Sequence, residues 1–338
     1  MFRSPANPII RLVFAPILLL FYQLYSGAPI PVLAPIFVVI FLTIMPSRPP
    51  LNLLLMLLVS LLVICFGIIA LGKALLESPS GFALFCWSIL FWSYYRSHRN
   101  PKDILSSLSL IVIIIMVVMT KQMGLPMGGF PWLMFSKFIT AIVVTYVAFL
   151  LFPGEEKDIL PAEQTDEAPE HHIGLIAFKA TAMSLVLVAL IGIGSSQTML
   201  IAITIGNMMR SPLVTDHHIF GRNRLITTAV GILFTFPCML LVVLGVSHWL
   251  LLGVSLFCGL QLACYGIRRR CRMDVYQLLF TNFTVLTYQV ISHQGADSFS
   301  AQVLRLFSIA VAVFVAVLLL NLANHPKPNN TLSKNHSA

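Results

Sequence analysis

Apolar runs, mostly 17–23 residues long, recur along almost the whole of this 338-residue chain. A helix of that length crosses the ~30 Å hydrocarbon core of a bilayer. In lipid only helices and closed barrels satisfy every backbone N–H and C=O, and these runs lack the alternation of barrel strands. Composition agrees, with 58% hydrophobic and 10% charged residues, where soluble domains hold ~45–50% and ~25%. The reading is an all-α integral membrane protein, and a soluble globular fold is excluded.

Breaks at charged, Pro and Gly residues divide the runs into twelve expected spans. They are 9–26, 29–46, 51–72, 80–96, 104–120 and 131–152, then 173–193, 196–209, 224–246, 248–266, 275–292 and 302–323. The first run, with Arg3, Arg11 and Ser26-Gly27-Ala28, has the outline of a signal peptide. Its counterpart later in the chain makes it a span instead.

Loop charges test the count. With the N-terminus inside and Arg11, near the inner end of its span, counted with it, sixteen Lys/Arg fall on the cytoplasmic side, Lys73 and Lys121 fall outside, and Lys137, Lys179 and Arg305 lie within spans. Making the short second and eighth spans re-entrant splits the same charges 13 to 5. The positive-inside rule therefore favours six plus six, with both termini cytoplasmic. The net charge of +9 is topology information on short loops, not a nucleic-acid footprint.

The halves also resemble each other. Arg11 matches Lys179 and Lys137 matches Arg305, each at an offset of 168; Leu84-Phe85-Cys86 recurs as Leu256-Phe257-Cys258, at 172. About twelve transmembrane helices thus read as two parallel six-helix repeats, 1–152 and 173–323. Between them lies 153–172, holding seven of the twelve carboxylates and one Lys, which reads as a solvated cytoplasmic linker. Residues 324–338 form a polar cytoplasmic tail.

No nucleophile–base pair, phosphate loop or zinc spacing appears, so no catalytic residue, cofactor or metal is expected. The six cysteines include no C-x-x-C pair and read as free thiols. Chemistry is expected within the spans. A Lys or Arg there costs roughly 2.5–3.5 kcal/mol. Lys137 and Lys179 lie six residues inside their helices and either snorkel or belong to an anion path, while Arg11 and Arg305, nearer helix ends, can snorkel easily. In the eleventh span, Asp274, Gln277, Thr281, Thr284, Tyr288 and Ser292 share one helical face, beside Asn282 and Gln289. Either interhelical hydrogen bonding or a water-lined path explains that stripe. Asp103 and Asp274, at matching cytoplasmic helix ends, are the candidates for proton coupling. Ser26 to Pro35 and Gly192 to Ser196 break matching hairpins, a pointer to a transporter's site. Trp87 and Phe91 read as packing residues, with an aromatic ligand as the alternative.

Arg224-Leu225-Ile226-Thr227-Thr228-Ala229-Val230-Gly231 resembles the Arg-x-x-Gly-Thr-x-x-Gly signature of the fusaric-acid-resistance (FUSC) superfamily, with Thr227 in place of the first glycine. Asn207-Met208-Met209-Arg210-Ser211-Pro212 before it suits the same family. The resemblance is to a small bacterial branch without a large soluble domain. It implies a multi-pass protein of the bacterial inner membrane that exports aromatic or other organic acids with a periplasmic membrane-fusion adaptor. Arg222 and Arg224 then stand at a cytoplasmic helix start as an anion-receptive entry. The combined expectation is an efflux transporter for small organic anions driven by the proton motive force, not an enzyme, with a homo-oligomer left open. Two rivals remain open at this point: an integral-membrane enzyme acting on lipid or isoprenoid phosphates through arginines 210–224 and 268–272, and a non-transporting partner subunit.

Overall fold

The computed structural model describes residues 6–44, 50–100, 103–122, 124, 127–154, 173–194, 197–210, 214–292 and 297–323. Among them are twelve α-helices and no strand. In chain order they are α1 (Asn7–Tyr25), α2 (Leu33–Ile44), α3 (Leu51–Leu75), α4 (Pro79–Arg99), α5 (Ile104–Lys121) and α6 (Phe130–Leu151), followed by α7 (Ile173–Ile193), α8 (Thr198–Arg210), α9 (Val214–Val243), α10 (His248–Arg268), α11 (Met273–Ser292) and α12 (Asp297–Ala323). One helix stands at each expected apolar run. The acidic stretch 155–172 and the tail 324–338 lie outside the described residues.

Seven of these helices are long and apolar enough to cross a membrane: α1, α3, α6, α7, α10, the 221–243 part of α9 and the 302–322 part of α12. The chain is a multi-span helical membrane protein. Its surface explains why. On α3 the exposed residues Leu53, Met56, Val59, Val63 and Phe66 recur every three to four positions, whereas Leu54, Leu58, Leu61, Cys65 and Ile68 are buried. An apolar stripe of that length facing outward suits lipid and not water. By contrast α2 and α8 have 12 and 13 residues, and at 1.5 Å per residue they rise only about 18–20 Å.

The breaks before these short helices come from backbone geometry. Gly27 has φ +65° and Gly194 has φ +68°, the left-handed region that glycine enters without a Cβ clash. At the first break, Ala28 N donates to Gln23 O at 3.0 Å and closes α1. Ser195 and Ser196 lie outside the described residues.

Helix ends gather on two faces. On one, the start of α1 is tied to the end of α6: Asn7 Nδ2 donates to Pro153 O and Arg11 Nη1 to Gly154 O, both at 2.7 Å. The same face holds the end of α4 against the start of α5, through Ser93 Oγ donating to Ser106 O at 2.6 Å. It also holds the end of α8, where Ser97 Oγ donates to Arg210 O at 3.2 Å. The opposite face carries Lys121 over the Phe82 ring at 4.9 Å. α9 pairs with α11 more extensively than any other two helices pair, and α12 lies against α8 and α9.

Candidate functional site

The polar residues buried among α9, α11 and α12 form the most unusual environment in the bundle. Along α9, Arg224, Thr228, Gly231 and Thr235 fall on one face by their spacing of three or four. They climb about 16 Å at 1.5 Å per residue. From α11, Asn282 Nδ2 donates to both Thr227 Oγ1 and Thr228 Oγ1 at 3.1 Å. From α12, Gln302 Oε1 accepts from Thr235 Oγ1 at 3.4 Å. These contacts need close helix approach, and Gly231 permits it: a Cβ there would stand 2.8 Å from Leu286 Cδ1. Gly221 does the same lower down, where a Cβ would meet Val313 Cγ1 at 2.7 Å.

Within this column sits Arg305, only 4% exposed. Its charge and that of Arg224 act on each other. The Nε of Arg224, the Nε of Arg305 and the Nε2 of Gln302 are buried donors without a hydrogen-bond acceptor, and Asn282 Oδ1 is an unused acceptor. A buried donor left without a partner costs about 1–3 kcal/mol, more when charged. Two neighbouring guanidinium groups with free donors form a charge and hydrogen-bond complement to an anion, and Arg forks match carboxylates bidentately.

The other intramembrane cations are satisfied. Arg11 is buried, bonded to Gly154 O and placed 4.0 Å from the Phe149 ring centre. The snorkelling open to Arg11 and Arg305 is therefore not what the fold does, because packing encloses both side chains. Lys137 Nζ donates to Gln23 Oε1 at 3.0 Å, joining α6 to α1. Lys179 Nζ lies 3.1 Å from His98 Nε2, and the ring's Nδ1 is 3.0 Å from Tyr94 O.

The remaining sequence candidates are scattered. Arg222 is exposed. On α11, Gln277, Thr281 and Tyr288 are half-buried, while Thr284 is buried and bonds its own helix at Phe280 O. The interhelical bonds come from Asn282, on the neighbouring face, so the expected stripe contributes less to the cluster than the residue beside it. Asp103 is held by Arg96, with Nε to Oδ2 at 2.6 Å. Asp274 opens α11, but its side chain lies outside the described residues. Trp87 stacks on Phe91 at 5.3 Å and donates from Nε1 to Thr181 Oγ1 at 3.0 Å, which makes the pair packing residues.

Sequence reasoning missed Thr235, Gln302 and the burial of Arg305. The signal was present on α9, where Thr235 continues the 224, 228, 231 spacing. Gln302 stands one turn before Arg305 on α12.

No curated protein and no solved structure matches the chain. The family described as a protein of unknown function (DUF2955) matches residues 8–148, a stretch that runs from α1 into α6.

Proposed function

We propose that this chain is an efflux transporter for small organic anions, aromatic carboxylates foremost, and not an enzyme. The observation that carries the reading is the pairing of buried Arg305 with half-buried Arg224, whose enclosed Nε donors find no acceptor. Neither arginine makes an ion pair among the described residues. An anion entering from solution supplies the missing charge and acceptors together. Asn282, Gln302, Thr227 and Thr228 set its orientation, and Arg222, Gln277 and Thr281 stand toward the face where α9 begins, with Tyr288 beyond the cluster. The anion cluster is complete without Lys137 or Lys179.

In this reading the twelve helices form two parallel six-helix units, 1–152 and 173–323, with both termini cytoplasmic in a bacterial inner membrane. Packing supports the repeat. Six pairings recur when each helix number advances by six: α1–α2, α2–α6, α3–α5 and α3–α6 become α7–α8, α8–α12, α9–α11 and α9–α12. Across the seam, α4–α7 and α5–α8 are answered by α10–α1 and α11–α2. Individual contacts follow the same rule. Trp87 meets Thr181 in one seam. Gly259 meets Val13 in the other, at the offsets of 172 and 168 that relate the sequence repeats. The short α2 and α8 then occupy matching places beside their broken turns, as in transporters whose site lies at a repeat interface. The FUSC resemblance adds a periplasmic adaptor as partner and the proton motive force as the driving force.

The test is exchange transport by the purified protein in proteoliposomes, with labelled phthalate inside and unlabelled phthalate or benzoate outside at equal pH. Efflux stimulated by the external acid, above that of protein-free vesicles, is the expected result. Efflux indifferent to every external carboxylate contradicts the proposal.

A further inference from the structure

The Lys179–His98 contact joins two basic nitrogens inside the bundle, and its bonding fixes how many protons it holds. Tyr94 O can only accept, so His98 Nδ1 carries a hydrogen and donates to it at 3.0 Å. Only Nε2 is then left to face Lys179 Nζ at 3.1 Å. The hydrogen bond between them accommodates one titratable proton, held as ammonium beside neutral imidazole or as amine beside imidazolium. When that proton leaves to water, the Lys179 amine still donates to Nε2. The pair therefore loses its charge without losing its geometry. Both side chains are buried, Lys179 and His98 each 1% exposed, so the charge change takes place out of bulk solvent, where it has the most leverage.

The setting links this pair to the anion cluster. Among the described residues, the ionisable groups of this region are Tyr94 on α4, Asp103 on α5 and Arg210 on α8. Arg210 acts electrostatically on Asp103 and Tyr94, and its carbonyl accepts from Ser97, next to His98. Tyr94 Oη is buried with no hydrogen-bond partner. Two residues back along the same short helix, Met208 packs where α9 passes at Gly221, its Cε 3.3 Å from a Cβ built there. α8 thus bonds the residue beside His98 through Arg210 and meets the anion-bearing helix through Met208.

We propose that Lys179 and His98 are the proton-carrying site of the transporter, separate from the anion cluster and connected to it through α8. The inference rests on the transport reading. A proton taken up from one side of the membrane charges the pair, and its release to the other side discharges it. Exchange of anion for anion needs neither step, whereas uphill efflux needs both. Asp103, bound to Arg96, is then a structural group.

The full-length protein in proteoliposomes, with labelled phthalate as probe, separates these steps. In Lys179→Arg, which keeps a charged donor that does not titrate, exchange at equal pH continues while efflux driven by an imposed pH gradient falls at least about tenfold, a loss equivalent to ~1.4 kcal/mol of coupling. The double change Lys179→Gln with His98→Gln removes both titrating groups, and gives the same loss of gradient-driven efflux should Lys179→Arg fail to fold. Gradient-driven efflux at the wild-type level in either folded variant overturns the proton site alone. Absence of exchange in the wild type overturns the transport reading instead.

Discussion

Lys137 and Arg305 stand 168 residues apart at matching places in the two halves of the chain, yet their surroundings differ. Lys137 donates to Gln23, which ties α6 to α1. Arg305 meets the charge of Arg224 and keeps an unpartnered Nε. The same contrast holds for the other pair: Arg11 is capped by a backbone carbonyl and an aromatic ring, whereas Lys179 meets a titratable imidazole. A cation whose needs are met within the fold acts as an interhelical tie. A cation whose needs are left open is ready for something that arrives from outside. The first half has kept the ties, and in the second half Arg305 is the open group.

The comparison breaks most readily at Arg305. Arg305→Gln removes one of two charges at the anion cluster, and a hydrogen bond to a charged group is worth about 1.5–3 kcal/mol. The half-saturating concentration for phthalate exchange should rise roughly 10- to 100-fold. Lys137→Gln should leave that concentration unchanged and instead lower the melting temperature. Equal transport defects in the two variants would erase the distinction between the halves.

A second break is steric. A Cβ on Gly259 would stand 2.7 Å from Val13 Cγ1, 3.1 Å from Ile17 Cδ1 and 3.3 Å from Phe283 Cε1. Gly259→Leu should destabilise the fold by about 1–3 kcal/mol, the usual cost of overpacking, measured as earlier thermal unfolding in detergent. Gly67, with open space around its Cβ position, should tolerate the same change.

A smaller effect is expected at Asn282. Asn282→Ala deletes two bonds to Thr227 and Thr228, each worth about 0.6 kcal/mol on average within membranes. Stability should fall by about 1 kcal/mol, and phthalate affinity should fall with it because Thr227 and Thr228 lose their anchor. The smallest change belongs to Asp103→Asn. Its Arg96 partner is 40% exposed, and pairs open to solvent contribute about 0–1 kcal/mol. Gradient-driven efflux should survive. Its loss would move the proton site from Lys179 and His98 to Asp103.

The helices were legible in the sequence because apolar length and the Gly and Pro breaks act locally. Gly27 and Gly194 mark the turns that the fold makes. Thr227, Thr228 and Gly231 are small residues that allow a neighbouring helix to come close, but nothing in their spacing named α11 as that neighbour. Burial of individual cations was not legible either. Arg305 lies near the start of α12 and looked able to reach an interface, but Gln302 pairs with Thr235 in mid-α9 and draws this turn inward. Asn282 was passed over for the polar stripe beside it, because hydropathy periodicity gives a face its angle but not its neighbour. The His98–Lys179 contact joins residues 81 apart, and no spacing rule reaches across that distance.

Equilibrium binding of labelled phthalate to the purified, detergent-solubilised protein tests the central claim most directly. Saturable binding is expected in the wild type and in Lys137→Gln, with loss in Arg305→Gln and in Arg224→Gln. Binding that persists undiminished in both arginine variants would contradict the account.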